Sequence, residues 1–164
     1  MDRALVLACG NPLRGDDAVA LHVAKALVTG FCDKETLVYS QHQWLPEMAE
    51  IISEVSLVIF VDASVELPAG EVATRRLQSG ESVGTPQVMT HGMTPATLLA
   101  MARELYGKLP DEAYLVSIGC ESFELSNQLS ESVRHAVPVA LDHVKAILSG
   151  VSFPDPIART QNAP

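Results

Sequence analysis

Three short stretches carry residues able to do chemistry together. The first is CGNPLRGDDAVA, Cys9 to Ala20, where a loop bracketed by Gly10 and Gly15 runs into Asp16 and Asp17. The second is LVIFVDAS, an apolar run closed by Asp62. The third is VMTHGMTP, where His91 stands before Gly92. Two carboxylates and an imidazole suit a three-ligand shell around zinc or a nickel-like cation, with positions left open. A carboxylate can equally serve as general base toward a water. The glycine spacing suggests a phosphate loop, but such a loop needs Lys and Ser or Thr directly after its second glycine. Asp16 and Asp17 occupy those places and would repel phosphate, and no GxGxxG fingerprint exists. The expected ligand is therefore a cation.

Each residue also has a plainer reading. Asp at a helix start caps free backbone N–H groups, and that accounts for Asp16. Adjacent acids point different ways, which leaves Asp17 to face a cleft. Asp62 is either a strand-end carboxylate in solvent or a ligand-side group. His91 is a solvated loop histidine unless it meets the carboxylates in space. His42, in QHQWLPEMAE, is a second candidate because it follows a strand, and Trp44 beside it reads as packing in preference to recognition. His22, His135 and His143 fall within helical patterns as solvated positions. Cys9, Cys32 and Cys120 have no CxxC spacing and read as small buried hydrophobes. Cys120, in SIGCES, leaves a Cys/His nucleophile open as a lesser alternative. Neither an HExxH helix nor a GxSxG elbow occurs.

These residues need elements to hold them. Ala4 to Cys9 is a continuous apolar run and predicts a strand buried on both faces. Val19, Ala20, Val23, Ala24 and Leu27 recur at helical spacing up to Gly30. Thr36 to Ser40 is a second strand, and Pro46 opens a second helix bearing Met48, Ile51, Ile52 and Val55. Leu57 to Val61 is a third strand ending at Asp62. Val72 to Leu77 mixes apolar with charged residues, as an edge strand does. Gln78 to Gln87 reads as loop. Thr94-Pro95 starts a helix that Gly107 stops, Tyr114 to Ile118 is a further buried strand, and Ser130 to Leu148 a last helix that Pro138 should kink or split. Strands alternating with helices predict an α/β three-layer sandwich: a twisted, mostly parallel sheet with one antiparallel edge strand and helices on both faces. Ligands of such sheets gather at the carboxyl ends of the strands, where the Asp17 loop and Asp62 both belong.

At 164 residues the expectation is one α/β domain over 1–150, with 151–164 a flexible tail. The net charge of −9 argues against nucleic-acid or anionic-membrane partners, which need a basic patch. With no signal peptide or transmembrane run, a cytoplasmic monomer is the default expectation.

Taken together and in order, these stretches resemble the NiFe-hydrogenase maturation endopeptidase family. GNPLRGDD looks like its hallmark of GN, a leucine and paired acids before a helix; LVIFVDAS and THGMTPATLLAMA resemble its second and third elements, and QHQWLPEMAE a stretch with PE that several members carry. The resemblance spans about Ala4 to Leu148. It implies an endopeptidase of aspartyl-protease type that removes a short C-terminal extension from the hydrogenase large-subunit precursor once nickel is installed. Carried over, the metal-contacting and catalytic set is Asp17, Asp62 and His91, with nickel supplied by the substrate. Ala18 and Ala20 depart from the glycines many members carry there. A non-cleaving nickel-dependent binding or chaperone protein for hydrogenase assembly is the alternative.

Overall fold

The computed structural model describes residues 3–31, 33–78 and 93–153. Five strands and four α-helices alternate along them: β1 (Ala4–Cys9), α1 (Val19–Gly30), β2 (Thr36–Gln41), α2 (Met48–Ser53), β3 (Leu57–Ser64), β4 (Val72–Leu77), α3 (Pro95–Tyr106), β5 (Glu112–Gly119) and α4 (Glu131–Leu148). The sheet order is β2-β1-β3-β5-β4. All pairings are parallel except β4 against β5, so the mixed sheet read from the sequence is the one observed. Among the described residues, no helix is long and apolar enough to cross a membrane.

Burial explains the layering. Leu5, Val6, Leu7 and Ala8 of β1 and Val58 to Val61 of β3 are closed off on both faces. Side chains alternate across a strand, and the two faces feed separate cores. Val6, Ala8, Ile59 and Val61 pack with α1 and α4. Leu5, Leu7, Val58 and Phe60 pack with α2 and α3. On α1, Val19, Val23 and Leu27 are fully buried, each contributing about 1.5–3 kcal/mol. Thr94 caps α3 by accepting from the Thr97 N–H at 3.1 Å, and Gly107 ends the helix at φ +67°, a left-handed cap that glycine adopts without strain.

Three expectations change. Pro138 does not split α4, which runs unbroken through it. Pro138 is exposed, so the Arg134 carbonyl it releases faces water and not the core. β3 does not end at Asp62 but continues to Ser64. His143 is not a solvated helix position: its Nδ1 lies 2.7 Å from Thr74 Oγ1 on β4, and its ring stacks on Phe153 at 5.3 Å. The tail thus begins docked at Phe153, which also meets Tyr114 edge-on.

The order of connections positions the site. The chain leaves β1 toward β2, then returns across the sheet to β3, on the other side of β1. Neighbouring strands whose connections depart in opposite directions leave a crevice at their carboxyl ends. Here that crevice lies between β1 and β3. Their pairing stops at Ala8 with Val61, whereas β3 goes on against β5 to Ser64 and Gly119. Asp62 is therefore inside a strand, level with Cys9 at the end of β1 and just beyond the last pair the two strands make.

Candidate functional site

The crevice holds a pocket of about 240 Å³, lined by Cys9 at the end of β1, Gly10 and Asp17 after it, His42, Gln43 and Trp44 after β2, Asp62 on β3, and Met93 before α3. Asp17 and Asp62, far apart in sequence, come to one cavity. His91 lies outside the described residues, as do Cys32 and all of the 78–87 loop beyond Gln78; Met93, two residues after His91, lines the pocket. Among the described residues, no group of three His, Cys, Asp or Glu side chains is set to hold a metal ion. The described walls offer a cation two carboxylates.

The two acids of the GDD run have opposite fates. Residues Gly15 to Ala18 form a 3-10 turn ahead of α1. Within it Asp17 is half-buried, and its Oδ2 accepts the Asn11 N–H at 2.8 Å. That bond closes the loop on itself. Gly10 is required beneath it, since a Cβ there would run into the Asp17 carbonyl oxygen.

Asp16 is fully buried and does not cap its own helix, contrary to expectation. Its Oδ2 accepts from Glu121 N at 3.1 Å, Ser122 N at 3.0 Å and Ser130 Oγ at 2.8 Å, and its Oδ1 from Ser130 N at 2.7 Å. Burial pushes its carboxyl up, but these four bonds outweigh that and hold it below the ordinary value. The backbone repeats the tie: Asp16 N donates to Ser122 O and Gly15 N to Ser126 O, both at 2.9 Å. Gly15 sits at φ +55° with Ser122 O directly over its missing Cβ. The loop after β5 is thus a splint for the loop that carries Asp17.

Asp62 has a different environment. Desolvation pushes its carboxyl from 3.8 to about 6; the Ala63 N–H and the Trp44 indole oppose this, and the charge of Asp17 adds to it. The Ala63 N–H donates to Oδ1 at 2.8 Å. Trp44, read from the sequence as packing, does pack: it is buried and meets Phe60 edge-to-face at 5.5 Å. It also lines the pocket wall together with Asp62, a placement the sequence reading did not assign. Its place directly after a parallel strand was the available signal, since that edge holds ligands. The contribution of Asn11 and of the Glu121–Ser130 loop had no sequence signal, being purely tertiary.

Neither described cysteine is poised as a nucleophile. Burial, then the charge of Asp16, pushes the Cys120 thiol up to about 12, and Sγ lies 3.4 Å from Asp16 O and 3.3 Å from Ile118 O. Cys9 is likewise raised to about 12 by burial and by Asp62 and Asp17. A thiolate is needed for attack, so the Cys120 alternative lacks its reactive form.

The fold recurs in solved structures. Hydrogenase maturating endopeptidase HybD from E. coli is 25% identical, with 92% of this chain and 95% of that chain covered at a TM-score of 0.73. The hydrogenase 2 maturation peptidase from a Thaumarchaeota archaeon is 26% identical over 90% and 99% of the two chains, at 0.67. The NiFe hydrogenase maturation protease HycI from Thermococcus kodakarensis is 25% identical over 90% and 93%, also at 0.67. No family model matches the sequence, and no curated protein does.

Proposed function

We infer that this chain, a peptide-bond hydrolase of the hydrogenase maturation endopeptidase family, removes a short C-terminal extension from the nickel-loaded large-subunit precursor of a NiFe hydrogenase. One observation carries the reading: Asp17 and Asp62 converge on a single pocket at the switch point of the sheet.

Nickel is part of the substrate in this reading. Asp17, held by the Asn11 N–H, keeps its second oxygen for the cation that marks a loaded precursor, and Asp62 offers another. His91, two residues before Met93 in the sequence, is assigned as the third contact. The incoming cation stabilises negative charge developing on the scissile carbonyl. A carboxylate of the pair, through an oxygen not given to the cation, takes a proton from the attacking water. The water oxygen bonds to the carbonyl carbon, the C–N bond breaks, and the proton passes to the leaving amine.

The test is to incubate the protein with nickel-loaded precursor and follow the C-terminal extension by mass spectrometry. The expected result is a shortened subunit from loaded precursor only, and none with Asp17→Asn. Intact precursor beside an active family member overturns the protease reading, and binding without product would favour the non-cleaving nickel-binding alternative. Full processing by Asp17→Asn removes that residue from the set.

A further inference from the structure

We propose that the open edge of β2 receives the C-terminal extension of the precursor as an added strand, an assignment that rests on the processing role above and states how that substrate is held. β2 ends the sheet, and among the described residues no strand pairs with its outer side. Exposed edges are ordinarily blunted by charge or proline. The opposite edge, β4, carries Arg75 and Arg76. β2 reads TLVYSQ, with neither a charge nor a proline. Such an edge offers its backbone to a further strand.

The register fixes which groups are on offer. Ala4 N donates to Glu35 O and Gly10 N to Gln41 O, both at 3.0 Å. Backbone groups of successive residues point to opposite sides of a strand, so Glu35, Leu37, Tyr39 and Gln41 turn theirs toward β1. Thr36, Val38 and Ser40 therefore face out. The Thr36 N–H goes to Asp33 O at 3.4 Å, and the Thr36 carbonyl and both backbone groups of Val38 and Ser40 remain for a partner. Side chains have a place as well. A groove of about 240 Å³ lies beside the edge, lined by Val28 of α1, Phe31 just after it, Asp33, and Thr36 and Val38 on one face of β2. A strand laid on β2 turns alternate side chains to that face, where Val28 and Phe31 would cover apolar ones.

The occupant follows from where β2 leads. Its carboxyl end runs directly into His42, Gln43 and Trp44, in the wall of the pocket that holds Asp17 and Asp62. A peptide whose scissile bond lies in that pocket sends its extension back along β2, antiparallel to it. The six residues of β2 provide about 20 Å of edge, enough for a short extension, while the body of the precursor stays beyond the carboxyl ends of the strands.

The test titrates the ¹⁵N-labelled full chain with a synthetic peptide spanning the precursor's cleavage site and extension. The expected result alternates along β2. The Val38 and Ser40 amides move downfield and exchange at least about 10-fold more slowly, while those of Leu37 and Tyr39, already turned to β1, hold still. Val38→Pro removes an outward N–H and leaves the β1 ladder intact. It is expected to raise KM for nickel-loaded precursor by about 10-fold with kcat kept, and Val38→Ala, which keeps the N–H, by less. An equal rise in both traces the effect to the side chain and overturns the added strand. Val38 and Ser40 amides unmoved by excess peptide overturn it too, as does their protection by chain concentration alone, which makes a second copy the occupant. Alternating protection in a chain that leaves precursor uncut removes the protease reading and keeps the edge; cutting with unmoved amides does the reverse.

Discussion

Replacing Asp16 by Asn changes one buried atom and should cost the fold several kcal/mol. The carboxylate is fully buried and receives three backbone N–H groups and the Ser130 hydroxyl. Asn retains one acceptor oxygen. Its best orientation keeps that oxygen at Oδ2, where three of the donors converge. The amide NH₂ then faces the Ser130 N–H, donor against donor, at a site that measures 2.7 Å in the native chain. One buried N–H loses its partner, at about 1–3 kcal/mol, and three bonds lose the charge that made each worth about 1.5–3 kcal/mol. A loss of about 3–5 kcal/mol follows, measured as the shift in urea unfolding at pH 7. The pH dependence has a definite sign. Asp16 titrates below its ordinary value in the fold, so its stabilisation is present above the unfolded pKa of about 3.9 and is lost as pH falls through the folded value. The gap between wild type and Asp16→Asn should therefore persist at neutral pH and narrow in acid. A variant within about 0.5 kcal/mol of wild type at pH 7, the range of an ordinary surface change, refutes the splint, as does a gap that fails to narrow.

Two further outcomes follow from the same site. Asp62 is raised from 3.8 to about 6 by burial, so the folded chain is penalised for its charge as pH climbs between those values. Asp62→Asn should be more stable than wild type at pH 7, by at most about 3 kcal/mol and less for solvent screening in the open pocket, with the advantage vanishing near pH 4. An Asp62→Asn chain that is less stable at pH 7 would contradict this. Cys120, with its thiol pushed up to about 12, should resist iodoacetamide at pH 8 by mass mapping, and Cys120→Ala should process precursor at the wild-type rate; a dead variant that still folds would restore the thiol mechanism.

Much of the architecture was legible along the chain. The unbroken apolar runs of β1 and β3 mark strands covered on both faces, because such a strand has no polar side to show to water. The helical spacing of Val19, Val23 and Leu27, and the Thr94-Pro95 start of α3, are local signals read correctly for local reasons. That the two acids meet at one edge was legible too: Asp17 comes after β1 and Asp62 near the carboxyl end of β3, and parallel strands bring their carboxyl ends to one edge. What the linear order does not contain is which neighbour each side chain meets. Asp16 and Asp17 are indistinguishable as types, and only the loop after β5, more than 100 residues away along the chain, selects Asp16 for the interior and leaves Asp17 in the pocket. Pro138 survives within α4 because its turn of helix faces solvent, a matter of orientation and not of propensity. Trp44 looked like packing, and it packs on Phe60, but only the meeting of the β2 and β3 ends at one pocket sets it beside Asp62 in the wall. Periodicity and composition act within a few residues and decide the elements; the division of labour among the acids depends on hydrogen bonds between loops, which exist only once the sheet has brought those loops together.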